Sequence, residues 1–327
     1  MTKIKAGIIG GAGYTGGELI RLLLLHPSAE LAFAQSTSNS GKPLSYVHTD
    51  LLGETELLFS ENYSNEVDVL FLCGGHDAAR KFLKENELPA NIVIIDLSQD
   101  FRHQHNNTIS DRTFIYGLPE LNREKIKTAK SIANPGCFAT SIELALVPLA
   151  AAGLLTGEIH VNATTGSTGA GQALSDTTHF SWRDSNLSVY KAFAHQHVKE
   201  ITESLTALQS GNSSKILFIP QRGNFTRGIL ASVYLDSKLD AAELTELYKN
   251  YYASHPFVRI SPDEVNIKQV VNTNRCFLHI EKHGDKVLVT SVIDNLLKGA
   301  SGQAVQNMNL IFGFDENSGL QLKPSAF

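Results

Sequence analysis

Cysteine is scarce in this chain, and the three present, Cys73, Cys137 and Cys276, cannot all pair. None lies at zinc-like spacing from another, so neither a disulfide framework nor a metal site is expected. An odd free thiol fits a reducing cytoplasm. No run of Lys and Arg interrupts the formal net charge of -5, which excludes the basic footprint of a nucleic-acid-binding protein. The longest apolar run, Leu144 to Leu155, is too short to span a bilayer. The first residues enter a strand pattern directly, so no secretory signal is expected. Internal repeats, low-complexity tracts and Pro/Ser linkers are missing too. What remains is 327 residues, 42% hydrophobic and 19% charged, enough for two globular domains with a sizeable core.

The first third alternates strand and helix. Ile4–Gly10, Leu31–Gln35, Val67–Cys73 and Asn91–Asp96 read as strands, and Glu18–His26 and Asp77–Glu87 as helices. Nearly continuous apolar strands in such an order predict a doubly wound parallel sheet, Rossmann-like, with residues 39–63 irregular or forming short edge strands. After Cys137 the pattern becomes α+β. Strands are expected at Ile159–Thr165, Lys215–Pro220, Ile229–Asp236, Val270–Thr273, Cys276–Lys282 and Val287–Ile293, and helices at Val198–Leu208, Ala241–Ala253 and Ser301–Phe312. His283-Gly284-Asp285-Lys286 reads as a hairpin turn. The boundary is placed at Cys137, giving domains of residues 1–136 and 137–299.

Gly10, Gly13 and Gly16 follow a strand and precede a helix, with Tyr14 and Thr15 between them. Glycines there permit a tight turn and close backbone approach, and the helix N-terminus offers unpaired amides to a pyrophosphate. The spacing departs from the commoner G-x-G-x-x-G. The second strand ends at Ser36-Thr37-Ser38, not at the carboxylate that binds a ribose 2′-hydroxyl. Hydroxyls in that place predict NADP(H) over NAD, and Gly74, after the third strand, is expected to face the same cofactor.

Asn134-Pro135-Gly136-Cys137 sets a cysteine at the turn that opens an apolar helix. Unpaired amides and the helix dipole favour a thiolate there, although a free cysteine is more often a small core residue. A thiol nucleophile needs a proton partner, and His195 and His197 stand together before a helix. His26, His103, His105 and His283 read as solvated loop residues. Ser167, Gly169 and Gly171 lie in a hydroxyl- and glycine-rich loop, and Arg222 and Arg227 offer forks for carboxylate or phosphate.

Together these segments resemble the N-acetyl-gamma-glutamyl-phosphate reductase family, of the aspartate-semialdehyde dehydrogenase superfamily. The resemblance rests on Gly10–Gly16, Asp96-Leu97-Ser98-Gln99-Asp100-Phe101-Arg102, Tyr116-Gly117-Leu118-Pro119-Glu120, Asn134–Thr140, His195-Gln196-His197, Thr226–Ile229 and Asp294–Ala304. It implies attack of Cys137 on an acyl phosphate, release of phosphate, and hydride reduction of the thioester to a semialdehyde in arginine biosynthesis. It makes His195 the first choice for acid/base catalysis and His197 the second. Ser167, Gly169 and Gly171 would line the substrate pocket, Arg227 and then Arg222 would hold its anionic groups, and Asn295, Gly299 and Gly302 would approach the nicotinamide and the cysteine. It also implies a homo-oligomer, dimer or tetramer, paired through the second domain, and a C-terminal segment, about 300–327, that completes the first. Thr37 replaces a common arginine, Tyr190 stands one residue nearer His195 than in many members, and Cys73-Gly74-Gly75-His76 replaces a Leu-Pro-His segment. Alternatives are a relative acting on N-succinyl-glutamyl, aspartyl or carrier-linked aminoadipyl phosphate, or a non-catalytic NADP-binding sensor.

Overall fold

A computed structural model describes residues 3–75 and 77–325, so the first two residues, His76 and the last two lie outside the described part. The chain divides into two compact units, one of residues 1–135 with 300–321, the other of residues 136–299 with 322–327.

The first unit holds a seven-stranded sheet. Its chain begins β1 (Ile4–Ile9), α1 (Tyr14–Leu24), β2 (Ala29–Gln35), β3 (Phe59–Ser60), β4 (Val69–Leu72), α2 (Ala78–Glu85) and β5 (Val93–Asp96). A hairpin of β6 (Thr108–Ile109) and β7 (Arg112–Thr113) follows, then β8 (Ile115–Tyr116), α3 (Pro119–Lys127) and β9 (Ser131–Ala133). The sheet order is β3-β2-β1-β4-β5-β9-β8, parallel throughout. Every residue of β4, β5 and β9 is buried, as a sheet covered on both faces requires. Strand β9, with β8 and α3, has no counterpart in the sequence reading; three residues are too few to carry a pattern.

Helix α1 starts four residues before the expected Glu18, because Gly16 and Gly17 read as breakers yet are helical. Gly16 cannot be otherwise: a Cβ there would stand 2.7 Å from the Gly11 carbonyl oxygen and 2.8 Å from that of Gly10. Asp100 caps α2 from a distance, accepting the amides of Asp77 at 2.9 Å and Arg80 at 3.0 Å. His26 is no solvated residue. It is 1% exposed, with Nε2 3.0 Å from Asn309 Oδ1 of the closing helix, Gly302–Ile311, and Nδ1 accepting the Ser28 amide at 3.1 Å.

The second unit runs α4 (Cys137–Ala151), β10 (Glu158–Thr165), α5 (Phe180–Arg183), β11 (Ser188–Val189), α6 (His197–Leu208), β12 (Lys215–Arg222), β13 (Ile229–Asp236), α7 (Ala241–Tyr252), β14 (Val258–Ser261), β15 (Cys276–His283) and β16 (Lys286–Ile293). Its sheet is mixed, in the order β11-β12-β10-β13-β16-β15-β14. Alternating burial along β10, β12 and β13 gives it one covered face. Helix α4 is buried on every side from Phe138 to Ala150. Pro148 inside it has no N–H for the Leu144 carbonyl, four residues back. Tyr252 of α7 supplies the missing donor, its hydroxyl 2.6 Å from that oxygen. The hairpin turn falls at Gly284-Asp285, with Gly284 at φ +56. Val270–Thr273 is not a strand. It leaves a short 3-10 turn, Ile267–Gln269, with Thr273 N–H bonded to the Val270 carbonyl and Asn272 left-handed at φ 67. Val270 packs into a buried plug with Val265 and Val292.

Candidate active site

Of residues 131–150, Cys137 alone is more than buried. It is the first residue of α4, and Gly136 caps the helix without any side-chain hydrogen bond. That is where unpaired amides and the dipole favour an anionic sulfur. Gly136 is held by Glu200 of α6, whose Oε1 accepts its amide at 2.8 Å in a buried setting. Gly299 lies against the cysteine from the other side, where a Cβ would come within 2.8 Å of Cys137 Cβ.

Both histidines gather here. His195 and His197 are buried, their rings 4.7 Å apart and packed 5.5 and 6.3 Å from the ring of Phe138, next to the cysteine. His197 covers Gly136: a Cβ there would overlap its Nε2 and stand 2.6 Å from Cε1. Burial first, then the charge of Lys191, pushes the His195 imidazole down to about 4, with Glu200 opposing. Its Nδ1 accepts the His197 amide at 3.3 Å, so the neutral ring carries its proton on Nε2 and is a donor there.

Two residues that the sequence reading did not assign join them. Tyr190 packs 5.7 Å from the His195 ring, with the Arg222 guanidinium 4.6 Å over its face. Burial and then the Cys137 charge push its phenol up to about 12, while Arg222 pulls it back. Glu200 is the other, three residues past His197 and so on the same side of the first turn of α6. That spacing was the available signal. For Tyr190 no periodic signal exists.

The two arginines separate. Arg227 pairs bidentately with the fully buried Asp294, at 3.0 and 3.2 Å. Asp294 also accepts the amides of Asn272, Leu296 and Leu297, so this pair organises the Asp294–Gly299 loop. Arg222 has no carboxylate partner among the described residues, and its Nε is buried without a hydrogen bond. The loop of Ser167, Gly169 and Gly171 docks on the one before β13 through Ser167 N–H to Phe225 O and Thr168 Oγ1 to Thr226 O. Asn295 clamps both, accepting the Gly228 amide at 2.7 Å and donating to Thr168 Oγ1 at 3.0 Å. Both of its amide atoms are used in these bonds.

The first unit fits a dinucleotide. Gly10 is left-handed at φ +80 against the Cys73 carbonyl, Gly13 caps α1, and Tyr14 and Thr15 begin it. A Cβ on Gly13 would point into open space beyond the Gly10 oxygen at 3.8 Å, so the turn leaves room for a phosphate. At the end of β2, the hydroxyls of Ser36 and Ser38 accept from Asn39, and Thr37 accepts from Gln35. Their own protons stay free to donate. Gly74 packs on Ala78, and Gly302 opens the closing helix beside Ser301, whose hydroxyl meets the Thr15 carbonyl at 2.8 Å. Cys73 follows β4, partly buried, its thiol pushed up to about 12 by burial.

This fold and site define an enzyme class, the semialdehyde dehydrogenases. Residues 5–129 match the semialdehyde dehydrogenase NAD binding domain, and residues 137–295 match the semialdehyde dehydrogenase dimerisation domain. Solved structures agree at the level of fold. Aspartate semialdehyde dehydrogenase II of Vibrio cholerae, complexed with ASA, aligns at a TM-score of 0.73 and 17% identity over 96% of this chain and 99% of its own. The Candida albicans aspartate semialdehyde dehydrogenase with NADP aligns at 0.68 and 15%, over 95% and 99%. Sequence relatives are nearer: N-acetyl-gamma-glutamyl-phosphate reductases of Parabacteroides distasonis and Bacteroides thetaiotaomicron are each 55% identical over 99% of this chain and 100% of theirs. The chain belongs to the N-acetyl-gamma-glutamyl-phosphate reductase family.

Proposed function

We propose that this chain reduces N-acetyl-glutamyl 5-phosphate to N-acetyl-glutamate 5-semialdehyde with NADPH, as a step of arginine biosynthesis. The observation that carries it is Cys137 at the open end of a buried helix, beside Tyr190, His195 and Arg222. Cys137 sulfur attacks the acyl carbon, forming a thioester as phosphate departs. NADPH, when bound, supplies the hydride that converts the thioester to a thiohemiacetal. Breaking the carbon–sulfur bond then releases the aldehyde and regenerates the thiolate. His195, neutral with Nε2–H as donor, steadies the oxygen that gains charge, and His197 completes the acid/base pair. Arg222 receives an anionic group of the substrate, backed by Ser167, Gly169 and Gly171, while Arg227 shapes the loop beneath. Gly10, Gly13, Gly16, Tyr14, Thr15 and Gly74 hold the pyrophosphate end of the cofactor, and Ser36, Thr37 and Ser38 favour its 2′-phosphate over a plain ribose.

Leu174, Phe180, Leu187, Val189 and Phe193, all exposed within one stretch of the second unit, support a homo-oligomer built through that unit. No helix among the described residues is long and apolar enough to cross a membrane; with free thiols, this supports a cytoplasmic enzyme. Incubation with acyl phosphate but no cofactor should leave an acyl adduct on Cys137 by mass spectrometry. Cys137→Ser should abolish turnover with NADPH binding near normal. An unmodified Cys137, or a Ser variant that still turns over, refutes the nucleophile.

A further inference from the structure

Between β2 and β3 stands His48, which the chemistry above does not use. Its Nε2 lies 2.8 Å from the Gly11 carbonyl oxygen. A carbonyl only accepts, so Nε2 carries the proton. The ring packs on Gly17, where a Cβ would stand 2.6 Å from Cε1 and from Nδ1, and it tilts against Phe59 with ring centres 6.1 Å apart. Gly11 is held through its amide as well, its N–H donating to the Gln35 carbonyl at 2.8 Å. The two peptides flanking Gly11 in the glycine turn are therefore pinned, one by the end of β2 and the other by a histidine 37 residues downstream. The Gly11 oxygen also presses on the first turn of α1, 2.7 Å from where a Gly16 Cβ would stand. Without a donor, that oxygen would be an unsatisfied acceptor among the amides that should face a phosphate.

We propose that His48 is a positioning residue for the dinucleotide. By holding the Gly11 carbonyl back, it keeps the free amides of the turn directed at the pyrophosphate. The Gly11 N–H bond to Gln35 ties the same turn to the strand end that carries the Ser36–Ser38 hydroxyls, which would meet opposite ends of the adenosine moiety, so His48 steadies one side of a preformed cradle. This rests on reading Gly10–Gly16 as the pyrophosphate turn.

The test is NADPH titration of the full-length protein by fluorescence, with steady-state kinetics alongside. His48→Ala should raise Kd and KM for NADPH about tenfold while kcat stays within about twofold. His48→Gln, which keeps an N–H donor near the Nε2 position, should restore most of the affinity. Gly17→Ala, which pushes the intact ring off Gly11, should reproduce the loss, with thermal melts confirming that each variant is folded. Unchanged Kd in His48→Ala and Gly17→Ala overturns the proposal, as does a loss that Gln fails to rescue. A wild-type protein that binds no NADPH overturns the turn reading itself.

Discussion

Gly136→Ala tests the site with a single methyl group. The backbone of Gly136 is extended, φ -70 and ψ 151, which alanine adopts without strain. The added Cβ would overlap His197 Nε2 and lie 2.6 Å from Cε1 and 2.7 Å from Cδ2. The ring must therefore retreat by about 1 Å, a misplacement that costs on the order of 10²-fold in rate when it separates reacting groups. Cys137 remains, so its alkylation should proceed as in the wild type while kcat falls about 100-fold. A double-mutant cycle sharpens this. With His197→Ala the steric conflict disappears, and adding Gly136→Ala should then cost almost nothing more. Full activity in Gly136→Ala, or losses that simply add, would refute the argument that the seat of His197 on Gly136 matters for the chemistry.

Further outcomes follow from burial. His195 is pushed to about 4 from 6.5, so between those values the unfolded chain holds a proton the folded chain lacks, and this contribution to stability rises with pH. Asp96 is pushed by burial from 3.8 to about 7, so in that window the folded chain holds the extra proton and stability falls as pH rises. The two oppose each other in the wild type. Denaturation at a series of pH values should show a falling slope in His195→Gln and a rising one in Asp96→Asn, and parallel profiles would contradict both assignments. Tyr252→Phe leaves the carbonyl freed by Pro148 unsatisfied and should cost about 1–3 kcal/mol in denaturant unfolding. Arg222→Met should raise KM for the acyl phosphate far more than Arg227→Met, whose effect should fall on stability through the stranded Asp294.

The buried strands of the first unit were legible because a parallel sheet covered on both faces writes apolar runs that no helix period matches. The glycine turn was legible for the opposite reason, since its chemistry is local. What escaped depends on contacts far apart in sequence. Arg227 announces an anion site, and nothing in Thr226–Ile229 reveals that Asp294 already fills its fork. His26, polar and beside Pro27, looks solvated until Asn309 and the closing helix arrive. Val270-Val271 has the composition of a strand, but left-handed Asn272 ends any extended run. Tyr190 and Glu200 reach the cysteine only through the fold, although the i, i+3 step from His197 to Glu200 was visible.

The three thiols differ so much in setting that the protein carries its own labelling handle. Cys276 is fully buried behind Ser291, and the Cys73 thiol, on a partly buried residue, is reluctant to ionise. A mild electrophile applied to the native enzyme should thus mark one sulfur per chain, the one at the head of α4. A reporter dye or an activity probe could be installed there without removing either of the others.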